Sequence, residues 1–119
     1  MTVLPAPVGP YSPAVRAGDW LICSGQTPIR DGKLIEGDIA SQTTQCLENL
    51  EAVLRANEAS LADVIKTTVF LVDMADFAAM NGAYAAKLGD LRPARSTVAV
   101  AGLPLGASVE IEAWAYIGG

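Results

Sequence analysis

The sequence predicts an α+β sandwich, a mixed sheet with two helices packed on one face, and three observations predict it. Residues 108–117 alternate strictly, with Val109, Ile111, Ala113, Ala115 and Ile117 on one side and Glu110, Glu112, Trp114 and Tyr116 on the other. Ile39, Thr43, Cys46, Leu47, Leu50, Val53 and Leu54 recur at three- and four-residue spacing, which draws one apolar stripe along a helix. A β-branched run, residues 64–72, separates that helix from a second one, so the elements follow in the order ββ-α-β-α-ββ.

Taken in order, residues 5–13 hold four prolines, and each biases its predecessor away from helix, which predicts an extended opening. Residues 14–16 and 19–24 read as short strands joined by a tight turn at Ala17-Gly18. Residues 25–37 read as a polar loop holding Asp31-Gly32 and Glu36-Gly37. Asp38 is placed to cap the first helix and Asn57 to end it. Ser60-Leu61-Ala62-Asp63 has capping-box spacing and leads into the strand at 64–72. A second helix starts near Asp73, with Phe77, Met80, Asn81, Tyr84 and Leu88 on one side. Asn81-Gly82 alone would suggest a hairpin, but the periodicity on both sides outweighs it, and Gly82 costs that helix ~1 kcal/mol relative to alanine. Pro93 closes the segment; residues 94–100 form a strand, 102–106 a turn and 108–117 the last strand. The apolar side of that strand belongs under the helices. Trp114 and Tyr116 on the opposite side mark an interface, and an oligomer built on the sheet is expected.

The chain has 119 residues, 51% apolar and 18% charged, which suits a single domain spanning 1–119 with no signature of disorder. The uncharged stretch between Arg95 and Glu110 is broken by Gly102, Pro104 and Gly106 and falls short of the ~20 apolar residues of a membrane span. The first fifteen residues carry no basic side chain, unlike a signal peptide, so a cytosolic protein with no membrane partner is expected. Eight basic and thirteen acidic side chains give a net charge of −5 with no basic run, which argues against nucleic acid as a partner. There is no histidine, which removes Ser-His-Asp and Cys-His nucleophiles and most transition-metal sites. Cys23 and Cys46 form no CxxC pair and have no basic neighbour in sequence, so no chemistry is assigned to them.

Carboxylate, guanidinium, phenol, hydroxyl and backbone groups are left to do any chemistry. Arg95 shares a strand side with Thr97 and Ala99; it is either a solvated arginine with a packed stem or a fork that grips a carboxylate. Glu110 and Glu112 share the face of Trp114 and Tyr116, where partial burial suits a carboxylate that positions water; periodicity does not choose between them. Asn81 either caps a neighbouring backbone group or projects its amide into a pocket, and Tyr11 sits on a stiff segment suited to lining a cleft. Gly102-Leu103-Pro104-Leu105-Gly106 lacks the ending of a phosphate loop.

The segments Gly9-Pro10-Tyr11-Ser12-Pro13-Ala14-Val15, Ser24-Gly25-Gln26, Lys66-Thr67-Thr68-Val69-Phe70-Leu71 and Pro93-Ala94-Arg95-Ser96 strongly resemble the RidA family, also called YjgF or L-PSP. Leu103-Pro104, Val109-Glu110-Ile111-Glu112-Ala113 and the spacing of Phe77, Asn81 and Tyr84 agree, so the likeness runs in order from about Gly9 to Ala115. The resemblance implies a chorismate-mutase-like fold, a homotrimer with clefts between subunits, and no cofactor. It also implies hydrolysis of 2-aminoacrylate and 2-iminopropanoate to the 2-keto acid and ammonia. By the same resemblance Arg95 clamps the substrate carboxylate and Glu110 positions the attacking water, while Tyr11, Ser24, Gly25 and Asn81 line the cleft. Thr97 stands where the best-known branch has cysteine and contributes its backbone; this departure points to another branch. The segment between Tyr84 and Arg95 is also shorter than the family's, which bears on substrate range. Some relatives are described as endoribonucleases or translation inhibitors, and a third reading is a non-catalytic trimer that binds small carboxylates or client proteins.

Overall fold

The computed structural model describes Leu4 and residues 6–118; Pro5, part of the proline-rich opening, lies outside the described residues. The elements are β1 (Ala14–Ala17), β2 (Trp20–Gln26), β3 (Ile29–Arg30), β4 (Lys33–Leu34), α1 (Ile39–Ala56), β5 (Val64–Leu71), α2 (Phe77–Leu88), β6 (Ala94–Ala99) and β7 (Val109–Tyr116). The five long strands make one sheet in the order β1-β2-β7-β5-β6. Among the described residues only β5 and β6 run parallel, because α2 carries the chain back across the sheet between them. The result is the α+β architecture of a mixed sheet with two helices.

Alternation along β7 decides where the core lies. Val109, Ile111, Ala113 and Ala115 are buried and pack with Leu47, Leu50, Val53 and Leu54 of α1. Each such Val, Ile or Leu contributes about 1.5–3 kcal/mol by leaving water. On the other face Trp114 and Tyr116 remain 42% and 45% exposed, with the Trp20 ring set edge-on against both at 5.9 and 5.2 Å.

The caps follow the sequence. Asp38 accepts from the Ser41 amide at 2.9 Å, and this bond holds its carboxyl below the ordinary range; Asn57 closes α1. The Ser60 amide donates to Asp63 at 2.9 Å, which shapes a short 3-10 turn before β5. Glu51 of α1 accepts from Lys87 of α2 at 2.9 Å and ties the helices together.

Four expectations shift. The first turn is Gly18-Asp19, since Ala17 stays extended opposite Trp20 and Gly18 takes the left-handed conformation at φ +62°. The loop at 25–37 contains the β3–β4 hairpin: Asp31 and Gly32, at φ 55° and 78°, form the two-residue turn that suits right-handed strand twist. The second helix is entered through a 3-10 turn, Met74–Asp76, capped by Asp73, with regular α-helix only from Phe77. The opening is bent at residues 8–11, where the Tyr11 amide donates to the Gly9 carbonyl at 2.9 Å and the Tyr11 hydroxyl accepts from the Val8 amide. Those bonds override the extended bias of the prolines.

Candidate active site

Near the middle of the sheet, β2 carries one residue too many for its partner. Cys23 pairs with Ala113 and Gln26 with Ile111, so Ser24 and Gly25 together oppose Glu112. Such a bulge bends the strand and re-aims its residues. Here it brings the Gly25 backbone against the Glu110 side chain: a Cβ at Gly25 would lie 2.8 Å from the Glu110 carboxyl carbon. Any larger residue here would push the Glu110 side chain aside, and this close approach falls on the residue carried from the family pattern. Ser24 donates its hydroxyl to the Ser12 carbonyl at 2.7 Å, and its amide donates to the Pro13 carbonyl at 2.9 Å. The bent opening is thereby laid beside the bulge, and Tyr11, Pro13, Gly25, Gln26, Thr27 and Ile29 line one depression. Burial, with a smaller push from neighbouring Glu112, raises the Glu110 carboxyl above its ordinary pKa. A carboxylate shifted upward is a better proton acceptor near neutral pH.

Arg95 is assembled differently. It pairs with Thr67 in the parallel β5–β6 ladder, and Thr67 is buried beneath α2, sharing a 2.7 Å hydrogen bond with the Tyr84 hydroxyl. The Arg95 guanidinium therefore lies on the helix side, 4.8 Å from the Tyr84 ring centre and 5.7 Å from that of Phe77, with Nη1 3.9 Å from the Met80 sulfur. Each cation–π contact contributes about 1 kcal/mol and holds the fork in place. Among the described residues no carboxylate forms an ion pair with it. Asn81 Oδ1 and Thr97 Oγ1, both buried, have no hydrogen-bond partner among the described residues. Thr97 lies one pleat repeat from Arg95 on the same side of β6, and Asn81 lies between Phe77 and Tyr84 on α2 at helical i+4 and i+7 spacing. A free guanidinium beside two orphan polar oxygens is an arrangement suited to a small polar ligand.

The fold thus gathers the proposed residues into two groups. Tyr11, Ser24, Gly25 and Glu110 belong to the bulge and the open face; Asn81, Arg95 and Thr97 belong to the helix side of the edge strand. Glu110 pairs with Phe70 and faces away from the core, whereas Arg95 pairs with Thr67 and faces toward it. Within one chain the two lie on opposite faces of the sheet. Phe77, Met80 and Tyr84 enter the sequence reading as a helix stripe, and Phe77 and Tyr84 also through the family spacing, but none is assigned to the site; they form the bed of the guanidinium. Cys23 and Cys46 are buried and their thiols are raised, Cys23 to about 11, which keeps both protonated. Among the described residues no three His, Cys, Asp or Glu side chains come together as a metal site would need, and no helix is long and apolar enough to cross a membrane.

Comparison with known proteins adds a lineage to this geometry. The family described as Endoribonuclease L-PSP matches residues 1–117. A RutC family protein of Pyrococcus horikoshii is 52% identical over 114 residues, covering 94% of this chain and 90% of its own length. RidA from the Antarctic bacterium Psychrobacter sp. superposes with a TM-score of 0.91 at 43% identity, over 96% of this chain and 94% of that one. Escherichia coli TdcF, solved with bound serine, gives a TM-score of 0.89 at 38% identity over 97% and 94% of the two chains. Such likeness over nearly the whole length is shared by sequence, fold and motif order, and the chain belongs to the L-PSP family of RidA and YjgF proteins.

Proposed function

We propose that this protein is a cofactor-independent deaminase of 2-imino and 2-enamino acids, yielding the 2-keto acid and ammonia in the cytosol. The observation that carries the reading is that one chain of this family holds both an arginine fork with no ion-pair partner among the described residues and a half-buried glutamate of raised pKa. Arg95 grips the substrate carboxylate through two charge-assisted bonds, with Asn81 and Thr97 offering their free oxygens beside it. Glu110 accepts a proton from water as the water oxygen bonds to C2. The C=N electron pair moves onto nitrogen, which takes up the proton that Glu110 removed from water. Glu110 then accepts the hydroxyl proton of the tetrahedral adduct and passes it to the amine as C=O forms and the C–N bond breaks, releasing ammonia and the ketone and leaving Glu110 ionised. TdcF with bound serine supports a small carboxylate as ligand.

Because Arg95 and Glu110 face opposite ways in one chain, the site of this reading is completed by a second copy. Exposed Ile65, Val98, Trp114 and Tyr116 offer an apolar surface for such an assembly, and the family resemblance supports reading it as a homotrimer. The family's endoribonuclease title supports a second reading, but a net charge of −5 without a basic run disfavours a phosphate backbone. The test generates 2-iminopropanoate from alanine with an amino-acid oxidase and follows ammonia release with and without the protein. Acceleration is expected; an unchanged rate sinks the deaminase reading in favour of carboxylate binding.

A further inference from the structure

The bulge-side group is held from beneath by a side chain that never reaches it. Asn49 of α1 is 2% exposed, and its Nδ2 donates to two backbone carbonyls, Thr27 at 3.1 Å and Ile29 at 2.9 Å. Its Oδ1 is occupied by the buried Gln45, whose Nε2 donates at 2.9 Å, so the amide orientation is locked. Thr27 and Ile29 are the residues by which the chain leaves the bulge, and both line the depression shared with Tyr11 and Gly25. Gln26, between the bulge and the clamp, is itself buried. The two Ser24 bonds to Ser12 and Pro13 hold the entry to the bulge, and the β7 register ends at Gln26; an untethered chain beyond it would let the extra residue redistribute toward Thr27.

We infer that Asn49, seated by Gln45, is a positioning residue: by clamping the Thr27 and Ile29 carbonyls to α1 it fixes the Ser24-Gly25 bulge and so aims the Glu110 carboxylate. The inference rests on the deaminase reading for its kinetic consequence, not for its structural one. A plain packing role would make Asn49 one more core residue, whose loss lowers stability and scales activity with the folded fraction. A positioning role acts on turnover in the folded protein.

The test compares Asn49→Ala and the milder Asn49→Ser, both of which lose the paired donors, with Val53→Ala, a core truncation on the same helix. All are assayed well below their melting temperatures. In both Asn49 variants kcat should fall at least tenfold while inhibition by pyruvate, read at the Arg95 side, changes less than twofold. Amide exchange across residues 25–35 should quicken at least tenfold. Val53→Ala should keep parental kcat and parental exchange in that segment. Parental kcat in Asn49→Ser, or an equal kcat loss in Val53→Ala, overturns the positioning role. If the parent chain hydrolyses no imine, the deaminase reading falls by itself, and the exchange data still decide: a segment protected in the Asn49 variants refutes the clamp.

Discussion

Replacing Gly25 with alanine places a methyl group against the carboxylate on which the proposed chemistry depends. The added Cβ would stand 2.8 Å from the Glu110 carboxyl carbon, against 3.4 Å for the near edge of ordinary contact, so the carboxylate must retreat by at least about 0.6 Å. The neighbour that must move is the far end of a flexible side chain, and the backbone of Gly25 is not left-handed. Stability should therefore change little: an off-rotamer glutamate costs about 0.5–1.5 kcal/mol, and alanine returns about 0.4–1 kcal/mol by restricting the unfolded chain. Catalysis is less forgiving, since a misplacement of about 1 Å costs up to about 100-fold. The expectation is a melting temperature close to the parent and a kcat lower by about 10- to 100-fold, or roughly 1.4–2.7 kcal/mol in the barrier. Initial rates of ammonia release and a thermal melt on the same preparation check both halves. Parental kcat in Gly25→Ala would refute the contact's role, and collapse of the fold would refute the reasoning about which atom yields.

Other expectations follow from the same geometry. Arg95→Lys keeps the charge but loses the two-pronged grip, and should cost roughly 2–4 kcal/mol in kcat/KM if that grip holds substrate. Glu110→Gln should lower kcat with KM little changed, and Glu112→Gln should do less; the reverse order would reassign the water-positioning carboxylate. Because folding raises the Glu110 pKa, its ionisation costs stability at neutral pH, and the cost vanishes as pH falls below the unfolded value. Glu110→Gln should accordingly melt higher than the parent at pH 7 and converge with it in acid. Thr97→Cys replaces the unpartnered Oγ1 with a weaker S–H donor and leaves the backbone groups in place, so the rate should stay within about tenfold, ~1.4 kcal/mol; a larger loss would show that the hydroxyl bonds substrate. Light scattering should report a trimer at micromolar concentration, and a monomer there would remove the composite site.

Much of this was legible without coordinates because it rests on local periodicity. The alternation of β7 places Val109 and Ile111 inside and Trp114 and Tyr116 outside, and the α1 stripe and its Asp38 cap appear where spacing put them. What local pattern does not carry is pairing between distant strands. That Arg95 faces α2 while Glu110 faces away follows only from the Thr67–Arg95 and Phe70–Glu110 registers. The bulge at Ser24-Gly25 breaks period two, so no alternation rule foresees the approach of Gly25 to Glu110. The two-residue strands of the β3–β4 hairpin are too short for any period to show. At the opening, the proline bias was real but weaker than the hydrogen bonds that fold Tyr11 back on Val8 and Gly9.

The two groups also differ in how firmly the sheet holds them. Glu110 rides on β7, laced on one flank to β2 and on the other to β5, whereas Arg95 rides on β6, an edge strand with β5 as its single neighbour. Altering β7 disturbs two ladders at once; altering β6 or the segment leading into it disturbs one. In evolutionary terms the sheet separates a half tied into two ladders, which carries Glu110, from a more adjustable edge, which carries Arg95. On the proposed reading, new substrate preferences would accumulate along β6 and α2 without unzipping the strand that carries Glu110.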